Sequence, residues 1–184
     1  MYLIVGLGNP ESDYARTRHN MGFEVINQLA KKHDIRLSRS KMQAIYGKGN
    51  IENQDVLLVK PKTYMNASGD SVIQYVHYYK VLPEQLIVVY DDIDLEPGKI
   101  RIKPRGGPGT HNGMRSVVSK LGTEDFIRVR VGIGIPKYGD LMTHVIGGIP
   151  EEEYLVLQKG INQAEKAVEA ILKHGIESAM NQYN

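Results

Sequence analysis

No cysteine occurs in the 184 residues, which excludes disulfides, thiolate-held metals and a cysteine nucleophile. No apolar run approaches the roughly 20 residues that a membrane-spanning helix needs. Repeats, low-complexity tracts and linkers are also missing, so a chain of this length is expected to form one domain over residues 1–184. The opening "MYLIVGLGN" enters a strand pattern at once, without the charged region and cleavage site of a secretory leader. A cytoplasmic location is expected.

Several catalytic signatures are absent too. There is no G-x-S-x-G elbow, and the six histidines include no H-E-x-x-H pair or similar spacing, so no metal is expected. "GLGNPE" (6–11) follows the first strand as a dinucleotide fingerprint would, but Glu11 stands at the third glycine and would face the pyrophosphate. "RGGPGTHNGMRS" (105–116) is glycine-dense. It carries Met114–Arg115 where a P-loop needs Lys–Ser/Thr, so it reads as a mobile loop or lid before a helix, with Asn112 as N-cap. No organic cofactor is expected.

What is present describes an α/β protein. Apolar 41% and charged 24% are ordinary for a globular chain. Strand patterns occur at 2–7, 44–50, 55–61, 85–91, 99–104 and 127–134. Helical spacing occurs at 20–32, 66–80 and 112–121, and in a long helix after Pro150 that opens with three glutamates and ends at Gly175. Alternating elements of this size predict a twisted, mixed and largely parallel sheet flanked by helices, with "KIRIKP" supplying antiparallel pairing.

The net charge of +2 is too small to imply nucleic acid, but Lys and Arg crowd residues 99–130. Lys99, Arg101 and Lys103 share one strand face, as do Arg128 and Arg130. If the two strands are neighbours they form a phosphate-binding stripe; otherwise they protect a sheet edge.

Two histidines, His19 in "TRHNMG" and His111, stand at loop-to-helix junctions rich in amides. His19 either starts a helix or moves a proton. Asn9, Asn66, Asp91 and Asn112 all fall at element ends, which a parallel sheet would gather at one edge. A carboxylate beside an imidazole fixes its tautomer, and amides can hold water or an oxyanion. That set suits ester hydrolysis by a histidine-activated water. The rival nucleophile is Ser71 in "GDSV", which also reads as a capping serine.

"VGLGNPESDYARTRHNMGF", "KPKTYMNASG", "VVYDDIDLEPGKIRIKPRGGPGTHNGMRS" and "RVRVGIGIP" resemble, in order and spacing, the bacterial peptidyl-tRNA hydrolases, from residue 2 to about residue 180. The resemblance implies an enzyme that cleaves the ester between a peptide and the 3′ end of tRNA, returning free tRNA to translation. It implies no metal, cofactor or obligate protein partner, and a monomer. Matched by position, His19 is the base, Asp91 holds it, and Asn9 separates blocked from free aminoacyl-tRNA. Tyr14, Tyr64, Met65, Asn66 and Asn112 match substrate-contacting positions, and Lys103 and Arg130 match positions that grip tRNA phosphate. A non-catalytic RNA-binding protein on the same scaffold and a Ser71 esterase are the alternatives.

Overall fold

A computed structural model describes all 184 residues. β1 (Tyr2–Gly6) leads through a loop and a 3-10 turn at Arg18–Asn20 into α1 (Met21–Lys32). A meander follows, of β2 (Arg39–Lys41), β3 (Ala44–Ile51) and β4 (Gln54–Pro61). Its turns at Met42–Gln43 and Glu52–Asn53 have positive φ at both residues, the geometry that matches strand twist in two-residue hairpins. Next come α2 (Ser68–Tyr78), β5 (Leu86–Asp92), β6 (Ile100–Lys103), α3 (Asn112–Leu121) and β7 (Ile127–Gly132). The chain finishes with α4 (Leu141–Ile146), α5 (Glu151–His174) and α6 (Ile176–Tyr183).

The strands form one sheet in the order β2-β3-β4-β1-β5-β7-β6. β4, β1, β5 and β7 run parallel at its centre; β2, β3 and β6 add antiparallel pairs at the two edges. The expected mixed sheet with a parallel centre is what forms. Side chains alternate across it. Ile4, Val89, Val129 and Ile102 pack under α1, α5 and α6, while Leu3, Val5, Val88 and Tyr90 pack under α2 and α3. No helix is long and apolar enough to cross a membrane.

The sequence-based elements are recovered with small shifts. Residues 65–67 form a 3-10 turn before α2 rather than its first turn, and Gly175, at φ 88°, caps α5 as expected. The structure adds three elements. β2 is wholly exposed, α4 has six residues, and α6 follows a glycine read as the end of the last helix.

The glycines of "GLGNP" and "HNMG" serve packing. A Cβ on Gly6 would lie 2.3 Å from the Gly22 carbonyl oxygen, and one on Gly22 would lie 2.4 Å from that of Val89. α1 thus rests directly on the backbone of β1 and β5, which brings its N-terminal turn, and His19, over the strand ends. Gly22→Ala should cost roughly 3 kcal/mol, because the obstructing atoms are backbone and have no rotamer to escape into. Urea unfolding of the variant would read this as a lowered midpoint at unchanged m-value, and an unshifted midpoint would show that the backbones yield.

Candidate active site

Because β1, β4, β5 and β7 are parallel, the chain leaves all four at the same edge, where open α/β sheets bind ligands. A cleft of about 400 Å³ lies there. His19, Asp91, His111, Asn112 and Arg130 line it.

Asp91, the penultimate residue of β5, is 2% exposed and accepts two imidazole bonds. His19 Nδ1 lies 2.8 Å from its Oδ2, and His111 Nε2 lies 2.8 Å from its Oδ1. Burial alone would raise the Asp91 carboxyl, but the two ring N–H groups and their charge hold it well below the usual carboxylate range. For His19, burial alone would lower the imidazole; the charge and hydrogen bond of Asp91 outweigh it and raise the ring above its ordinary value. With Nδ1–H given to Asp91, Nε2 of His19 carries the lone pair and makes no bond within the protein.

The helix-start role for His19 fails on geometry. Asn20 stands at the N-cap of α1, and no side chain caps that helix. Asn20 instead clamps the loop after β1: its Oδ1 accepts the Asn9 N–H at 2.8 Å and its Nδ2 donates to the Asn9 carbonyl at 3.0 Å. Asn9, buried, accepts the Met65 N–H at Oδ1, 3.0 Å away, which leaves its Nδ2 as an uncommitted donor. Arg18 turns the other way and ties the segment to α5 through Glu153 and to α4 through the His144 carbonyl, 3.2 Å away. The motif therefore joins His19, the Asn9 amide and the outer helices.

The other sequence-predicted residues are spread around this centre. Met65 is buried against Gly113, Asn66 and Tyr64 are exposed, and Tyr14 is half-buried. The Tyr64 hydroxyl donates to Glu11 Oε1 at 2.6 Å, joining the β4–α2 turn to the β1 loop. Glu11, which spoils the dinucleotide fingerprint, thus holds a rim contact.

Three readings are corrected. The N-cap of α3 is His111 rather than Asn112: its Nδ1 accepts the Met114 N–H at 3.2 Å, while Asn112 projects into the cleft lining. Ser71 is neither cap nor nucleophile, since it is 0% exposed within α2 and its Oγ donates to the Met42 carbonyl at 2.9 Å. Arg128 is not part of a basic surface. It is 1% exposed, donates to the Phe126 and Glu124 carbonyls and stacks on the Phe126 ring.

β6 and β7 are neighbours, as the stripe requires. Arg101 and Lys103 are exposed on the face opposite α5 and α6, and Arg130, paired with Asp92 at 2.8 Å, joins that face to the cleft.

The model of the peptidyl-tRNA hydrolase family matches residues 3–184. The chain belongs to that family. Peptidyl-tRNA hydrolases of Caldanaerobacter subterraneus subsp. tengcongensis and Alkaliphilus oremlandii are 49% and 47% identical over 184 residues, covering the whole of both chains in each case. The crystal structure of peptidyl-tRNA hydrolase from Acinetobacter baumannii superposes with a TM-score of 0.94 at 43% identity, over 100% of this chain and 94% of that one.

One cluster in the structure has the donor set of a transition-metal site, because ligand atoms of His19, Asp91 and His111 lie within 4.8 Å of one another. The cap bond opposes that use. It demands the lone pair of His111 on Nδ1, which puts the proton on Nε2, the nitrogen an ion would face.

Proposed function

We propose that the chain hydrolyses the ester joining a peptide to the 3′ end of tRNA, as one domain over residues 1–184, with a water activated by His19. The observation that supports this most is the free Nε2 of His19 at the cleft while Asp91 holds Nδ1. Nε2 takes a proton as the water attacks the ester carbonyl, and Asp91 stabilises the imidazolium that results. The imidazolium then returns the proton to the departing ribose oxygen. Amide donors stabilise the oxyanion between these steps, with Asn9 Nδ2 held ready and Asn112 at the cleft. Tyr14, Tyr64, Met65 and Asn66 are assigned to the peptide and 3′-terminal nucleotides. The enzyme needs no metal, organic cofactor or protein partner in this reading, and works as a cytoplasmic monomer.

The deciding experiment compares N-blocked with unblocked aminoacyl-tRNA. Rapid cleavage of the blocked form alone is the expected result. A folded chain that binds tRNA and cleaves neither form would be an RNA-binding protein instead.

Lys103, with Arg130 beside it, is assigned to tRNA phosphate. Lys103 makes no ion pair, whereas Arg130 is engaged by Asp92. Lys103→Ala should weaken tRNA binding several-fold and reduce the slope of log K against log salt by about one, while a minimal ester substrate is cleaved as before. Unchanged tRNA affinity would make the stripe an edge-protecting feature.

A further inference from the structure

We propose that His111 is a positioning residue that weakens the hold of Asp91 on the protonated His19 ring, by occupying the second carboxylate oxygen through an imidazole locked in one tautomer. The proposal rests on the reading of His19 as the base.

The lock comes from the fold. A neutral imidazole has one donor and one acceptor nitrogen. Nδ1 of His111 accepts the Met114 N–H as the cap of α3, so the proton resides on Nε2, which points 2.8 Å from Asp91 Oδ1. Protonating Nδ1 would break the cap and set a cation on the positive end of the helix. In that tautomer His111 offers Asp91 a donor and does not compete for its proton. A carboxylate that already accepts this bond is a poorer acceptor toward His19, and the imidazolium on His19 is stabilised less.

The rings are also packed as a unit. The His111 ring centroid sits 5.0 Å from that of His19 and 5.0 Å from that of Tyr90, around a carboxylate that is 2% exposed. The other ionisable groups nearby are accounted for. On β5, Asp92 holds Arg130 of β7, and burial keeps the Tyr90 hydroxyl neutral, pushed up to about 12. Asp94 of the β5–β6 loop and Asp140 before α4 line the same cleft, with Asp140 committed to capping Thr143. His144 of α4 donates to the Gly134 carbonyl, Arg18 pairs with Glu153, and Arg115 of α3 donates to the Gly109 carbonyl.

Two substitutions separate the cap from the carboxylate bond. His111→Phe keeps ring packing and loses both bonds. His111→Asn restores a strong N-cap acceptor but is too short to reach Asp91. In each, the His19 ring titration followed by NMR, and the acid limb of kcat/KM, should move upward by roughly half to one pH unit. At pH 6 that is about a three- to tenfold loss relative to the activity at pH 8. In the unaltered enzyme, nitrogen-15 shifts should report His111 as the Nε2–H tautomer at pH 7. A His19 midpoint that stays put in whichever variant folds, or a proton on His111 Nδ1, overturns the proposal. If the ring midpoint moves while the acid limb does not, the coupling stands and His19 loses its role as base.

Discussion

His19→Ala is expected to lower kcat on N-blocked aminoacyl-tRNA by on the order of 10²–10⁴ while the protein stays folded and binds tRNA, the usual contribution of a positioned base. The size follows from the isolation of the group. Nε2 of His19 is the free imidazole lone pair at the cleft, because both His111 nitrogens are engaged and the neighbouring carboxylate, Asp91, has given its oxygens to the two rings. The sign of the pH dependence is set by the same bond. Asp91 raises the His19 ring above its ordinary value of 6.5, so the base form is lost as pH falls through a midpoint higher than that of free histidine. The acid limb should disappear in the alanine variant. A profile that is flat between about pH 5 and 8 in the unaltered enzyme, or an alanine variant of undiminished activity, would remove His19 from the chemistry.

Asp91→Asn should be nearly as damaging, lowering kcat by roughly 10³–10⁴, and for a reason the two-histidine arrangement dictates. An asparagine side chain presents one acceptor and one donor to the two rings. His111 cannot adjust, since its Nδ1 is tied to the Met114 N–H and its Nε2 must donate. The amide oxygen will therefore face His111, and the NH₂ group will face His19 Nδ1. His19 then switches to the tautomer with its proton on Nε2, and the nitrogen aimed at the cleft ceases to be a base. NMR should find His19 with its proton on Nε2 at neutral pH, and activity should be low across the whole pH range. Retention of most activity with the Nδ1–H tautomer intact would mean that the loop, not the carboxylate, orients the ring. Stability carries its own sign. Asp91 lies below its ordinary carboxyl value, so its ionised form stabilises the fold above that value, and the stabilisation is lost as the solution is acidified toward the depressed value.

The legible parts of the fold are those in which a periodic pattern coincides with burial. β1 and the first part of β5 are apolar runs buried on both faces, β7 alternates Ile and Val with Arg, and α1 and α5 carry a stripe at helical spacing. Two elements that the sequence does not announce have no such pattern, the exposed Arg39–Lys41 strand and the six-residue α4, and a third, α6, has one but lies beyond the glycine that reads as a helix end. The basic strands divide instructively. Alternation places Lys103 and Arg128 on one face, and the register pairs them directly, yet only Lys103 reaches solvent. Alternation states which face a side chain leaves by. It does not state whether a neighbouring loop, here Glu124–Phe126, bends back to satisfy the guanidinium.

The candidate site shows the same division. That Asn9, Asp91 and Asn112 meet at one edge follows from element ends on a parallel sheet, and the four matching segments name the chemistry. His111 stands visibly at a loop-to-helix junction, but its partner is not legible in the sequence, because the cap and the carboxylate bond depend on where α3 begins relative to the end of β5. Asn20 likewise reads as part of a motif, and only the fold makes it a clamp on Asn9.

By itself, the sequence determined the class of fold and the family, and it singled out His19 and Asp91 as the pair to look for. Each is written in local spacing or in matched segments. Only the tertiary structure decided that one carboxylate serves two histidines, that Ser71 is sealed in a helix, and that Arg128 is withdrawn from the basic face. Those outcomes turn on ångström-scale distances between residues as far apart as 72 positions along the chain, and no periodicity within a segment encodes them.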